Sequence, residues 1–335
     1  MGFSELIGHQ RPIKLLQAML DGGRLPHALL ISGPPGVGKR TLAMKLAQAV
    51  NCLGDVTADA CGTCSGCEKI ERGLHPDVVE LMPEGKARKI KVEAVRDLRS
   101  RIAFKPYEGR CKVFIIREAD RMGEEASNAL LKTLEEPPPE SLLVLTTPEE
   151  SDLLPTIVSR CLRLPLAPLP RHTVEAFVAE RLGISGPMAN LMASMSGGCL
   201  GQVLEMDGEK LFDTRRRMLD GIRSLDSRRP GSGLAWAEEL AGDQDAWPEA
   251  LRLLRFWYRD LMMVAGSVSE RPLVNEDLRA ELLDEAAGYG PEVFISALDE
   301  IDRAEDALDR FIRPELVFEN LILALGGLKA KGTHG

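Results

Sequence analysis

The feature that most constrains this chain is a nine-residue turn, Gly33-Pro34-Pro35-Gly36-Val37-Gly38-Lys39-Arg40-Thr41, between two apolar segments. The run before it, Ala28 to Ile31, reads as a buried strand, and TLAMKLAQAV after it resumes helical periodicity. Strand, glycine-rich loop, helix is the context in which backbone N–H groups converge on phosphate oxygens, with the lysine, here Lys39, reaching the outer phosphates. Such a loop needs a parallel sheet with helices on both faces. The rest of the first half supplies it: strand patterns at 77–81, 112–116 and 142–145 alternate with helical patterns at 92–104 and 123–135, the last stopped by Pro137-Pro138-Pro139. An α/β parallel-sheet nucleotide-binding domain is therefore expected over roughly residues 1–166.

The loop departs from its pattern in a telling way. The residue after the lysine is normally Ser or Thr, whose hydroxyl holds Mg²⁺; here it is Arg40, with Thr41 one place late. One residue on a helix turns a side chain by about 100°, so Thr41 does not substitute. The second half of an ATP site is an apolar strand ending in an acidic pair. Here VFII runs into Arg117-Glu118, so the glutamate is present and the aspartate position is arginine. Two separate magnesium contacts are thus both replaced by arginine. ATP or ADP binding stays open on this reading, while Mg²⁺-dependent hydrolysis is not expected.

Four of the seven cysteines, Cys52, Cys61, Cys64 and Cys67, follow C-x8-C-x2-C-x2-C within 16 residues. In a reducing compartment such clustering points to metal rather than disulfides. Four thiolates suit a closed tetrahedral zinc that pins a loop and leaves no open position for catalysis. Close triplets of cysteine also suit an iron–sulfur cluster, but no redox partner motif accompanies this one. His75 reads as a loop residue rather than a further ligand, and of the scattered cysteines Cys111 and Cys199 read as packing.

Charge is uneven. The chain has 42 Lys+Arg against 51 Asp+Glu, a net −9 that argues against a whole-protein nucleic-acid binder. Yet Lys86 to Arg121 holds 12 basic and 5 acidic residues, a local +7. That stretch is either a solvated helix face with its loop or a patch for phosphates. No secretory leader or membrane-length apolar run is visible, which suggests a cytoplasmic protein with no membrane partner. Beyond Pro165 strand patterns fade. Residues 171–205 look like a small helical unit broken at Gly197-Gly198. Residues 209–330 are helical, their aromatic and Met stripes reading as core and Arg228 to Gly233 as an inter-helix loop.

In order along the chain, GPPGVGK, the cysteine cluster, HPDVVEL, VEAVRDLRSRIAF, KVFIIREADRM, NALLKTLEEPP, Thr146-Thr147 and Ser159-Arg160-Cys161 resemble the AAA+ subunits of the bacterial DNA polymerase III clamp loader. The resemblance covers nearly all of residues 3–206. It implies an AAA+ domain with an inserted zinc module at about 52–67, a helical lid at 167–208, and an all-α collar at 209–335 that joins five subunits into a ring. It also implies that Arg160 reaches a neighbour's ATP as a trans-acting finger, and that Thr147 belongs with the loop residues at the nucleotide. Glu118 is then a vestige of the hydrolytic pair. The implied partners are the other loader subunits (tau/gamma and delta), the sliding clamp, and primed DNA reached through the complex. Arg40, Arg117 and the absence of a sensor arginine near Gly201-Gln202 fit the delta-prime type, a stator, better than the ATP-hydrolysing gamma/tau motor type. The motor type remains the alternative.

Overall fold

In the computed structural model the apolar runs near the N-terminus form one sheet. Its strands are β1 (Ala28–Ser32), β2 (Val78–Leu81), β3 (Lys112–Ile116), β4 (Ser141–Thr147) and β5 (Leu162–Pro165), ordered β2-β3-β4-β1-β5 and all parallel. The structure describes residues 2–54, 58–85, 87–225, 230–267 and 272–332; Lys86, Arg228 and Arg229 lie outside these. Residues of one strand alternate between two cores. Leu29, Ile31, Val113, Ile115, Leu142 and Val144 pack on one face. Ala28, Leu30, Phe114, Ile116, Leu143 and Leu145 pack on the other. Burial on both faces is why these strands read as continuous apolar runs rather than alternating ones.

Helices α1 (Gln10–Asp21) and α2 (Lys39–Val50) cover the first face through Leu16, Leu42 and Leu46. The short α3 (Ser65–Glu71) follows the cysteine segment. The second face is covered by α4 (Val92–Ile102), α5 (Glu124–Glu135) and α6 (Pro155–Val158), using Val95, Leu98, Leu130 and Ile157. Connections leaving β1 and β3 therefore pass to opposite faces. The crevice this opens at the carboxyl ends of the strands is where open α/β sheets bind ligands.

The expected parallel sheet is present, with one strand more than the sequence patterns marked. β5, with sequence LRLP, is too short, and too broken by Arg163 and Pro165, to register as apolar.

The chain divides into two compact units, the first comprising residues 1–170 with 198–202, the second 171–197 with 203–335. The second is helical: α7 (Arg171–Phe177), α8 (Pro187–Met195), the second half of α9 (Leu200–Glu205), α10 (Gly208–Ser224), α11 (Pro230–Ala241), α12 (Trp247–Ala265), α13 (Arg279–Ala286), α14 (Pro291–Asp309) and α15 (Pro314–Gly332). Trp257, Leu254, Leu261 and Phe318 are buried in its core, as the aromatic stripes suggest. Asp260, fully buried, accepts from the backbone N–H groups of Val274 and Asn275 at 2.9 and 2.8 Å.

Pro230 to Gly233, expected as loop, instead opens α11. Proline is tolerated in a first helical turn. Gly233 lies so close to Ile322 of α15 that an added Cβ would stand 3.1 Å from its methyl. Close packing between helices thus outweighs the low helix propensity of glycine. Cys199 is buried as expected, whereas Cys111 is only half-buried.

Candidate functional site

The glycine loop closes β1 into α2, and each glycine meets a specific demand. Gly33 has φ +142, and a Cβ there would sit 2.4 Å from the Leu166 carbonyl; its N–H donates to the carbonyls of Thr147 and Pro148. Gly36 has φ +79 and faces the first turn of α9, where Gly201 N–H donates to the Gly36 carbonyl at 2.9 Å. A Cβ on Gly201 would lie 2.7 Å from the Gly36 Cα, so the missing sensor side chain has no room at that position. Gln202 Nε2 reaches the Pro35 carbonyl at 3.4 Å. From the other side His9 Nε2 bonds the Val37 carbonyl at 2.9 Å.

Lys39 folds back on its own loop, donating to the carbonyls of Gly33 and, at 3.0 Å, Pro34. Burial lowers its pKa, opposed by the negative fields of Cys199, Asp120 and Glu118. An ammonium held among carbonyls at a cluster of backbone N–H groups is the arrangement that a polyphosphate would take over. Thr147, at the end of β4, is fully buried; its hydroxyl donates to the Glu149 carbonyl at 2.8 Å. Thr41 is exposed, one step round the helix from Arg40.

Arg40 and Arg117, the two arginines singled out in the sequence, meet on a single acid. Arg40 makes two bonds to the Glu80 carboxylate, at 2.7 and 3.0 Å, and Arg117 Nη1 stands 3.6 Å from it. The bond to Glu80 raises the Arg40 pKa further. Glu80 sits in β2 opposite Ile115 of β3, next to Arg117 at the strand end. Sequence reasoning missed it, because a lone Glu in HPDVVEL carries no sign of partners 37 and 40 residues away. Glu118 has φ +48 and is itself occupied: Arg88 donates to both its oxygens at 2.8 and 2.9 Å. Its N–H donates to Thr146 Oγ1 at 3.2 Å.

Arg160 follows α6 and pairs elsewhere. Its guanidinium donates to Glu135 Oε1 at 2.8 Å and to the Thr156 carbonyl at 3.0 Å. The two motifs LEEPP and SRC, read separately in sequence, are thus joined by an ion pair at the surface. The side chain remains about one-third exposed and free to exchange partners.

The cysteine segment gathers Cys52, Cys61, Cys64 and Cys67 with all four sulfurs within 4.8 Å of one another. A tetrahedral thiolate site with bonds of about 2.3 Å requires sulfur spacings of about 3.8 Å. Backbone N–H groups of Leu53, Gly54, Cys61, Cys64 and Cys67 point at the sulfurs of Cys52, Cys61 and Cys64 at 3.3–3.4 Å, which favours thiolate there, whereas burial pushes the Cys67 thiol up. The donor set fits a metal ion. Cys52 and Cys67 are buried, while Cys61 and Cys64 stand at the rim. His75 lies outside the set: its Nδ1 accepts from Asp77 N–H at 3.1 Å, and burial lowers its pKa.

Residues 8–170 match the family described as DNA polymerase III, delta subunit. Over 319 residues, 94% of this chain and 95% of that protein, the chain is 29% identical to DNA polymerase III subunit delta' of Bacillus subtilis. It is 36% identical over 208 residues to subunit delta' of Pseudomonas aeruginosa, covering 61% of this chain and 63% of that protein. The chain is thus similar to DNA polymerase III clamp-loader subunits, to one of them along nearly its whole length. Subunit tau of Escherichia coli is 36% identical over 214 residues, 62% of this chain. The chain spans about a third of the length of that relative. No helix among the described residues is long and apolar enough to cross a membrane.

Proposed function

We propose that this chain is the delta-prime-type stator of a bacterial clamp loader, an AAA+ subunit whose own site does not hydrolyse ATP. The observation that carries the reading is the joint hold of Arg40 and Arg117 on Glu80. Two fixed cations occupy positions that, in an active site, hold the Ser/Thr hydroxyl and aspartate of a magnesium ion. Their charge opposes a divalent cation there, and Glu118, neutralised by Arg88, is not placed as a free base. The loop from Gly33 to Gly38, with Lys39 and Thr147, retains what is needed to hold ATP or ADP.

On this reading the chain's contribution to phosphoryl transfer lies in Arg160. Its surface position beside Glu135 lets it leave one carboxylate for a neighbour's phosphates, where charge builds during transfer. The four cysteines hold a structural zinc that fixes the segment after α2. Residues 167–208 act as lid and 209–335 as collar in a hetero-pentamer with tau/gamma and delta subunits, which loads the sliding clamp onto primed DNA. A delta' relative matching along 94% of the chain favours this over the motor type.

The test is a loader reconstituted with Arg160→Ala. Assembly is expected to persist and ATP hydrolysis by the loader to fall. Hydrolysis unchanged from wild type contradicts the assignment.

A further inference from the structure

The +7 stretch between residues 86 and 121 is divided by the fold into two parts. Toward the carboxyl ends of the strands Arg88 pairs with Glu118, Arg117 with Glu80 and Arg121 with Asp120. Other cations of the stretch lie toward the amino ends. There a groove of about 430 Å³ runs between the end of α4 and the edge of the sheet, floored by Val79 and the buried Phe114. Phe104 and Tyr107 form its wall, with Arg101, Lys105 and Lys112 around them. Phe104 is 72% exposed and Tyr107 85% exposed, an unusual cost for two large rings only three residues apart.

The backbone that carries the rings is held. Phe104 N–H closes α4 on the Arg101 carbonyl at 3.3 Å, and Lys112 Nζ lies 5.8 Å from the Phe104 ring centroid. Tyr107, Glu108 and Gly109 donate their backbone N–H groups to the Asp77 carboxylate at 2.7–2.8 Å. The one acid of the loop, Glu108, is taken by Lys69 at 2.7 Å and faces His75. Arg101 pairs with Asp97 at the solvent surface, an arrangement that exchanges cheaply. Among the described residues, Lys105 and Arg110 have no carboxylate within ion-pair distance.

From this juxtaposition we propose that the Phe104–Tyr107 groove binds single-stranded nucleic acid, its bases stacking on the two rings and its phosphates meeting Arg101, Lys105 and Lys112. Exposed aromatic faces interleaved with cations on a fixed loop are what sequence-tolerant single-strand binding requires, because every base has a π-face. An acidic peptide matches the charge but does not supply planar groups to cover both rings. The groove lies at the end of the sheet opposite the glycine loop, and the inference stands whether or not the clamp-loader reading holds.

The test uses the full chain and a fluorescein-labelled oligothymidylate of about 12 nucleotides, a length within the usual site size. Anisotropy is expected to show binding at low salt that weakens as salt rises, by about 0.7 in log–log slope per phosphate contact. Phe104→Ala with Tyr107→Ala should weaken it at least about tenfold. Lys105→Gln should lower the salt slope by about one contact. Both rings are exposed, so an unchanged unfolding curve shows that the double variant is folded. Absence of binding overturns the proposal. So does affinity that ignores loss of the rings, or equal competition by oligoglutamate, which would mark a surface for acidic protein instead.

Discussion

Replacing Asp77 by Asn removes one atom of charge-accepting capacity from the residue that anchors the loop from Phe104 to Cys111. Asp77 is 1% exposed, and its two oxygens take three backbone N–H groups, Tyr107 on Oδ1 and Glu108 and Gly109 on Oδ2. Burial alone would raise the pKa of this carboxyl, but the three N–H donors together hold it below the ordinary value of 3.8. An asparagine has one acceptor oxygen, so its amide must face at least one N–H donor. The least costly placement turns the amide toward Tyr107 and strands one buried donor. Leaving such a donor unmet, with loss of charge assistance, costs roughly 1.5–3 kcal/mol. For a unit of this size that is a fall in melting temperature of about 3–12 °C.

Calorimetry reads the shift, and hydrogen exchange at residues 107–109 should show protection lost there before elsewhere. The pH dependence adds a sign. A carboxyl whose folded-state pKa is depressed contributes stability that is complete above 3.8 and is lost as pH falls through the folded value. The gap between wild type and variant must therefore narrow in acid. A change of less than 1 °C at neutral pH, or a gap that stays constant into acid, refutes the reasoning.

Two further expectations concern the cysteines and the histidines. Changing Cys64 and Cys67 to Ser should abolish bound zinc by metal analysis and lower thermal stability, because thiolate coordination adds to folding free energy; wild-type protein carrying far less than one zinc per chain would contradict the site. His9 and His75 both titrate below 6.5 because burial disfavours their charged forms. The unfolded chain takes those protons first, so the stability held by the neutral rings is complete above about 6.5 and declines as pH drops toward the folded values. A urea midpoint that rises between pH 7 and 5.5 would be the wrong sign.

How far the sequence reached follows from what each feature depends on. The central strands were legible because burial on both faces forces runs such as VFII and ALLI, and the glycine loop because backbone geometry admits few residues. β5 was not, since its strand character comes from pairing with β1 and not from its own residues. Arg40 and Arg117 stood out as substitutions, but their shared partner Glu80 depends on the register of β2 against β3. Arg160 was marked by its motif, while its bond to Glu135 joins segments 25 residues apart. The start of α11 was misread because glycine and proline signal turns, and only close packing against α15 reverses that signal. The basic stretch was visible as a sum; which of its cations are spent could be seen only once their carboxylates had positions.

The central claim is that the chain keeps a nucleotide loop but not the means to hydrolyse. It is tested most directly by ATP turnover of the isolated, purified chain with Mg²⁺, compared with Lys39→Ala. The account predicts that both preparations release phosphate at the same background rate. Turnover by the wild type that Lys39→Ala abolishes would contradict it and make this chain a motor.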